Sequence, residues 1–212
     1  MTLWERWQAL WAQLGLRGDP RPVFDDLAAR YCEPHRAYHT LEHLEHVFAE
    51  LDEVLDRARA AELIQLAVWF HDAVYDTRAG DCEAQSAELL KRALAAAGAP
   101  ADATERTAAM VLATRHDRRA SPDPDTALLL DADLAILGQC EIAFDVYEAA
   151  VRREYAWVPD AAFRQGRTAV LSRFLARPNI YSTPHFHALY EAQARENLAR
   201  SIAALSSGDA RS

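Results

Sequence analysis

The stretch Ala67 to Thr77, AVWFHDAVYDT, sets His71 and Asp72 side by side in an almost wholly apolar run. Leu63, Ile64, Leu66, Ala67, Val68, Trp69, Phe70, Ala73 and Val74 surround the pair. At helical spacing these residues cover nearly the whole circumference. The segment is therefore expected to be a buried helix, ending near Tyr75, and not an amphipathic one on the surface. A carboxylate in such a place is costly unless it is paired or binds a metal. A neutral imidazole beside it is a good ligand for a borderline metal. The dipeptide alone leaves two readings open: a hydrogen bond that serves packing, and part of a metal site.

Further candidate ligands lie on both sides. His35, His39, His43 and His46 crowd into the span from Glu33 to Leu55. Thr40 is a plausible N-cap for a helix whose apolar stripe is Leu41, Leu44, Phe48, Leu51 and Leu55. His43 falls on the flank of that stripe, while His46 falls nearer the opposite side with Glu42, Glu50 and Glu53. His35 and His46 are expected at the surface. His39 shares the side of His43 only if the helix extends back that far. Downstream, Ala127 to Leu137 reads ALLLDADLAIL and is apolar nearly all round except at Asp131 and Asp133. Two residues apart on a helix, these carboxylates point about 200° away from each other, so only one can face a shared ion.

The ordered set of His43, His71-Asp72 and Asp133 resembles that of the HD superfamily of metal-dependent phosphohydrolases. The resemblance is closest to its small, stand-alone bacterial members and runs from about Tyr31 into the last helix. It implies an all-α fold of a single domain, an HD helical bundle over about 31–157 with additional N- and C-terminal helices. It also implies hydrolysis of a phosphate ester by water activated on a divalent ion held by His43, His71, Asp72 and Asp133. Nitrogen and carboxylate ligands together suit Mn, Fe, Co, Ni, Zn or Mg.

Finer matches imply individual roles. YHTLEH resembles the YHNxxH segment of the cyclic-nucleotide phosphodiesterases, with Thr40 in place of the Asn. There the second His binds metal and the first is a general acid, which makes His39 the proton donor here. ADLA resembles the ADLS of the same enzymes, which implies Asp133 as the last ligand. HDAVYDT resembles the HDxxEDT of guanosine tetraphosphate hydrolases, where a Glu-Asp pair orients the attacking water. Asp76 matches that Asp and Tyr75 replaces the Glu. His116 stands where HD enzymes with two metals place an extra His, which makes it a candidate for a second ion or for substrate phosphate.

Composition limits the partners. The 212 residues suffice for one domain with a real core. A net charge of −9 disfavours nucleic acid as a partner, yet leaves room for a small phosphorylated substrate, because a local cation can outweigh the global field. No apolar run is long enough to cross a membrane, and MTLWERWQAL does not read as a signal peptide. Cys32, Cys82 and Cys140 form no CxxC and are odd in number. They argue for a reducing cytoplasm and against a disulfide framework or a thiolate zinc site.

The remaining helices are expected from Thr2 to about Leu14, from Pro20 and Pro22 onward to Tyr31, from Cys82 to Ala97 and from Asp102 to Arg115. Others follow over Glu141 to Trp157, Asp160 to Ala176 and Pro184 to Leu205. Asp117 to Asp125, DRRASPDPD, reads as a loop. Arg164 and Arg167 are expected in surface salt bridges. Two further functional readings stay open: a metal-binding or ligand-sensing module without turnover, and a di-iron oxygenase.

Overall fold

The structure is a computed structural model and describes residues 1–116 and 123–207. Those residues hold ten α-helices and no strand, in keeping with the all-α expectation. In chain order the helices are α1 (Leu3–Gln13), α2 (Arg21–Tyr31), α3 (Leu41–Asp52), α4 (Ala61–Phe70), α5 (Cys82–Ala96), α6 (Ala101–Ala113), α7 (Pro124–Asp133), α8 (Glu141–Glu154), α9 (Asp160–Leu175) and α10 (Pro184–Ser207). Short 3-10 turns lie at Leu55–Arg57 and Leu134–Gly138. No helix among the described residues is long and apolar enough to cross a membrane. Contacts gather into two compact units, Met1–Ala132 and Asp133–Ser212.

In the first unit α4 is the central element and packs on α1, α3, α5 and α6. That is why its sequence is apolar all round: every residue from Leu63 to Phe70 except Gln65 is buried. Trp69, with no exposed surface, is ringed by Trp7, Phe24 and Phe48 at centroid distances of 5.3, 5.8 and 5.4 Å. Burial of each such side chain contributes about 1.5–3 kcal/mol. α1 begins with a capping box, Thr2 accepting from the Glu5 amide while the Glu5 carboxylate accepts from the Thr2 amide.

The start of α4 is made differently. Its N-cap, Ala60, has no side chain able to accept a hydrogen bond. The carboxylate of Asp125 on α7, only 1% exposed, takes the Arg59 and Ala60 amides instead, each at 2.9 Å. Asp125 was expected in a loop. α7 begins earlier than expected, because Asp123 accepts from the Thr126 amide and hydroxyl and Pro124 suits a first helical turn. Asp117 to Pro122 of the expected loop lie outside the described residues.

The second unit is built from α8, α9, α10 and the 3-10 turn that precedes them. α10 holds the chain on either side of itself. Asn197 donates to the Leu137 and Gln139 carbonyls at 2.9 and 2.8 Å, and Glu191 accepts from the Ile180 and Tyr181 amides. Arg164 pairs with Asp160 on the surface, as expected. Arg167 does not stay at the surface. Its guanidinium is buried, donating to Glu148 and to the Tyr147 hydroxyl at 2.7 Å, and Ser201 completes the Glu148 carboxylate at 2.8 Å. Burial pushes the Tyr147 phenol above its ordinary range; Arg167 opposes the shift, while Glu148 and Asp133 add to it. Gly138 is required by space: a Cβ there would lie 2.4 Å from Tyr190 Cβ and 2.7 Å from its carbonyl oxygen.

Two outcomes follow. Asp125→Ala strands two buried amides at the start of α4 and is expected to cost about 2 kcal/mol or more, read as a fall in melting temperature of about 4–8 °C. Gly138→Ala forces backbone to shift and is expected to cost at least about 2 kcal/mol, read by denaturant unfolding. A wild-type midpoint in either variant contradicts the corresponding contact.

Candidate metal centre

The His71-Asp72 pair sits at the end of a helix, not within one. α4 stops at Phe70, short of the expected Tyr75, with His71 as its C-cap. The reason is competition for the backbone. Arg36 takes the carbonyls of Asp72 at 2.8 Å and Ala73 at 3.2 Å. The Val74 amide donates to Ser86 Oγ at 3.0 Å, and that hydroxyl reaches back to the Val74 carbonyl at 3.4 Å. The Tyr31 hydroxyl accepts from the Asp72 amide and faces the Trp69 carbonyl, both at 3.3 Å. On a regular helix adjacent side chains diverge by about 100°. Leaving the helix here lets the imidazole and the carboxylate turn toward one point.

That point is shared with α3. His43 and His71 are 3% and 1% exposed, and their Nε2 atoms lie 3.0 Å apart. His71 Nδ1 is 2.8 Å from the Val68 carbonyl. A carbonyl only accepts, so Nδ1 carries the hydrogen and a neutral ring presents its lone pair at Nε2. Asp72 Oδ2 lies 3.2 Å from that nitrogen and 3.8 Å from His43 Nε2. The His71 lone pair, His43 Nε2 and the carboxylate meet closely enough for a hydrogen bond from a His43 Nε2–H or for a shared metal ion. Metal bonds of about 2.1 Å place neighbouring ligand atoms about 3.0 Å apart in an octahedron and about 3.4 Å apart in a tetrahedron. The 3.0 and 3.2 Å separations fall in this range and the 3.8 Å one is wider.

Asp133 adds a second carboxylate. Ligand atoms of His43, His71 and Asp133 lie within 4.8 Å of one another, a group able to hold a metal ion. Asp133 is the last residue of α7, whose preceding residues belong to the first unit, so the helix that carries Asp125 also carries this ligand to its place. Asp131 is buried, at 2% exposure, and is not one of the group.

His39 reaches the centre by another route than the one expected. Thr40 is extended, at φ −114° and ψ −176°, and α3 does not run back to His39. Instead Arg36 holds the His39 carbonyl at 3.0 Å, and the imidazole stacks on the Tyr75 ring with centroids 4.2 Å apart. Its Nε2 then lies 3.9 Å from Asp72 Oδ2. Tyr75, the residue in place of a Glu, thus serves as a support for His39. His35 is exposed and donates to the Tyr75 carbonyl at 2.7 Å, and His46 is half-exposed beside Glu50.

The other two expected site residues, Asp76 and His116, are not among the His43, His71 and Asp133 group. Asp76 is exposed, and its carboxylate accepts from the Arg78 amide at 2.9 Å, as a turn-former does. His116 ends the chain segment after α6 in a left-handed conformation, φ 53°, a backbone state in which His is enriched among non-glycine residues. Neither contributes to the group of ligand atoms among the described residues.

Sequence reasoning missed Arg36, Tyr31 and Ser86. Ser86 is fully buried. A signal was present. A helix ending inside a core leaves carbonyls without partners, and donors must be found for them. Arg36 in PHRAYH and Tyr31 just upstream were the available ones.

Asp133→Asn removes the anionic ligand at nearly constant size, and Mn²⁺ or Zn²⁺ titration is expected to show at least a tenfold loss of affinity, within the range for weakened metal sites. Asp131→Asn is expected to leave affinity unchanged and to alter stability only. The reverse pattern would move the last ligand to Asp131.

No family model, curated protein or solved structure matches this chain, so the centre is characterised by its own geometry.

Proposed function

We propose that the chain is a metal-dependent phosphohydrolase acting on a small phosphorylated metabolite or nucleotide. The observation that carries this reading is the meeting of His43 Nε2, His71 Nε2 and Asp72 Oδ2 within 3.8 Å, with the His71 tautomer fixed by Val68. With Asp133 they supply two imidazoles and two carboxylates, a set suited to Mn, Fe, Co, Ni, Zn or Mg. A divalent ion bound there lowers the pKa of a coordinated water and neutralises charge on phosphoryl oxygens.

The chain's own residues do the rest. Val68 keeps the His71 ring oriented. Asp72, half-buried, brings negative charge to the centre while remaining open to solvent on one side. His39 lies at the rim, 3.9 Å from Asp72 and supported on Tyr75, and is assigned the proton for the leaving oxygen. Asp76, exposed and accepting from the Arg78 amide, is kept as a candidate for orienting water, and His116, at the end of the segment after α6, as a candidate for substrate phosphate. The net charge of −9 favours a small anion held by a local cation over a nucleic-acid polymer. The second reading is a metal-binding module without turnover. It is favoured by Tyr75, which brings an aromatic support where a water-orienting carboxylate would stand.

Elemental analysis of purified protein, joined to a screen of phosphorylated metabolites, tests both. We expect a divalent metal near one per chain and hydrolysis that chelation abolishes and metal restores. Metal without turnover on any substrate selects the second reading, and failure to bind any divalent ion sinks both. His39→Ala is expected to retain metal and lose about a hundredfold or more in turnover. Loss of metal in that variant would make His39 a ligand.

A further inference from the structure

Arg36 is a charged side chain beside the centre with no exposed side-chain surface. Its donors are almost fully used. Nε donates to Glu33 at 3.0 Å, one terminal nitrogen donates to the His39 carbonyl at 3.0 Å and the Asp72 carbonyl at 2.8 Å, and the other donates to the Ala73 carbonyl at 3.2 Å. That accounts for four of the five N–H groups a guanidinium offers. The guanidinium also lies over the rings of Tyr31, at 5.0 Å, and Tyr75, at 5.4 Å, within cation–π range.

These contacts exclude a direct role with substrate. An arginine that has spent its donors on main-chain carbonyls and is closed to solvent cannot reach a phosphate. What it can do is set distances. One nitrogen bonds the carbonyl of His39 and the carbonyl of Asp72, residues from two segments of chain far apart in sequence. The same side chain lies over the Tyr75 ring on which the His39 imidazole stacks. The Tyr31 ring beneath it carries the hydroxyl that accepts the Asp72 amide. The carbonyls it holds on the HD side belong to the turn after α4, and holding them is what ends the helix and turns Asp72 toward His71.

We propose that Arg36 is a positioning residue of the metal centre: it fixes the separation between His39 and the His71-Asp72 turn, and so decides both metal affinity and the placement of the proton donor. This rests on the metal reading for its first consequence and on geometry alone for its second. Lysine is no substitute, since a single ammonium cannot span three carbonyls in fixed directions.

The test uses the full chain with Arg36→Met, which keeps the stem and removes the donors, and Arg36→Lys, which keeps the charge. Two quantities are read in each, well below the melting temperature and with helical circular dichroism checked. One is Mn²⁺ and Zn²⁺ affinity by titration. The other is the position of the His39 ring signals in the metal-free protein, which stacking on Tyr75 shifts upfield, with Tyr75→Leu identifying them. Arg36→Met is expected to weaken metal binding at least tenfold and to move the His39 signals toward those of an exposed histidine. Arg36→Lys is expected to fall between Met and wild type in both. A folded Met variant with wild-type affinity and unmoved His39 signals overturns the proposal. If the Met variant does not fold, the same result in the Lys variant overturns it. If wild-type protein binds neither ion, the metal reading falls, and Arg36 is judged on the ring signals alone: displaced signals uphold its positioning role and unmoved ones end it.

Discussion

A helix that ends inside a protein must find donors for its last carbonyls, and α4 ends in the middle of the core. The Trp69 carbonyl faces the Tyr31 hydroxyl, the Phe70 carbonyl takes the Ala73 amide, and Arg36 and Ser86 hold the turn that follows. Tyr31 and Arg36 come from one stretch of chain and Ser86 from another, and they meet at the four residues that follow Phe70. Buried polar groups left unmatched would cost about 1–3 kcal/mol each. The turn is therefore the most constrained piece of backbone in the first unit, and a constrained turn is a good mount for two ligands.

The electrostatic consequence is a concentration of acceptors. Two imidazole nitrogens and a carboxylate oxygen face one another at 3.0 to 3.8 Å. A carboxylate drawn into a core is costly unless compensated, so the arrangement favours a hydrogen-bonding proton or a metal ion at its focus. Asp72 is the least buried of the three, which gives the focus an opening toward solvent. A centre closed on all sides would suit a structural ion; this one has an approach on the side of His39.

The helical class, α1 with its cap, and the burial of the HD segment were legible in the sequence, because apolar periodicity and capping residues are local signals. His43, His71 and Asp72 were legible as a group because their chemistry is conspicuous in apolar surroundings, and the choice of Asp133 over Asp131 came from a short resemblance. The exit of α4 at Phe70 was not legible. Its apolar pattern continues through Val74, and only the long-range bonds from Arg36 and Ser86 break the helix. The start of α7 was hidden for the opposite reason, since Pro, Asp and Ser mark helix starts as well as loops. The burial of Arg167 was also invisible, because its partners Tyr147 and Glu148 sit on another helix.

The capping of α4 from α7 bears on the order in which the chain acquires structure. The Arg59 and Ala60 amides wait for a carboxylate about 65 residues further along. Closing so long a loop carries an entropic cost before any contact repays it. A nascent chain that has emerged only through α6 holds the whole apolar surface of α4 with its first turn unsecured. Completion of the first unit is thus tied to synthesis of α7, and the same event delivers Asp133. The helix that secures the start of α4 is also the one that ends in Asp133.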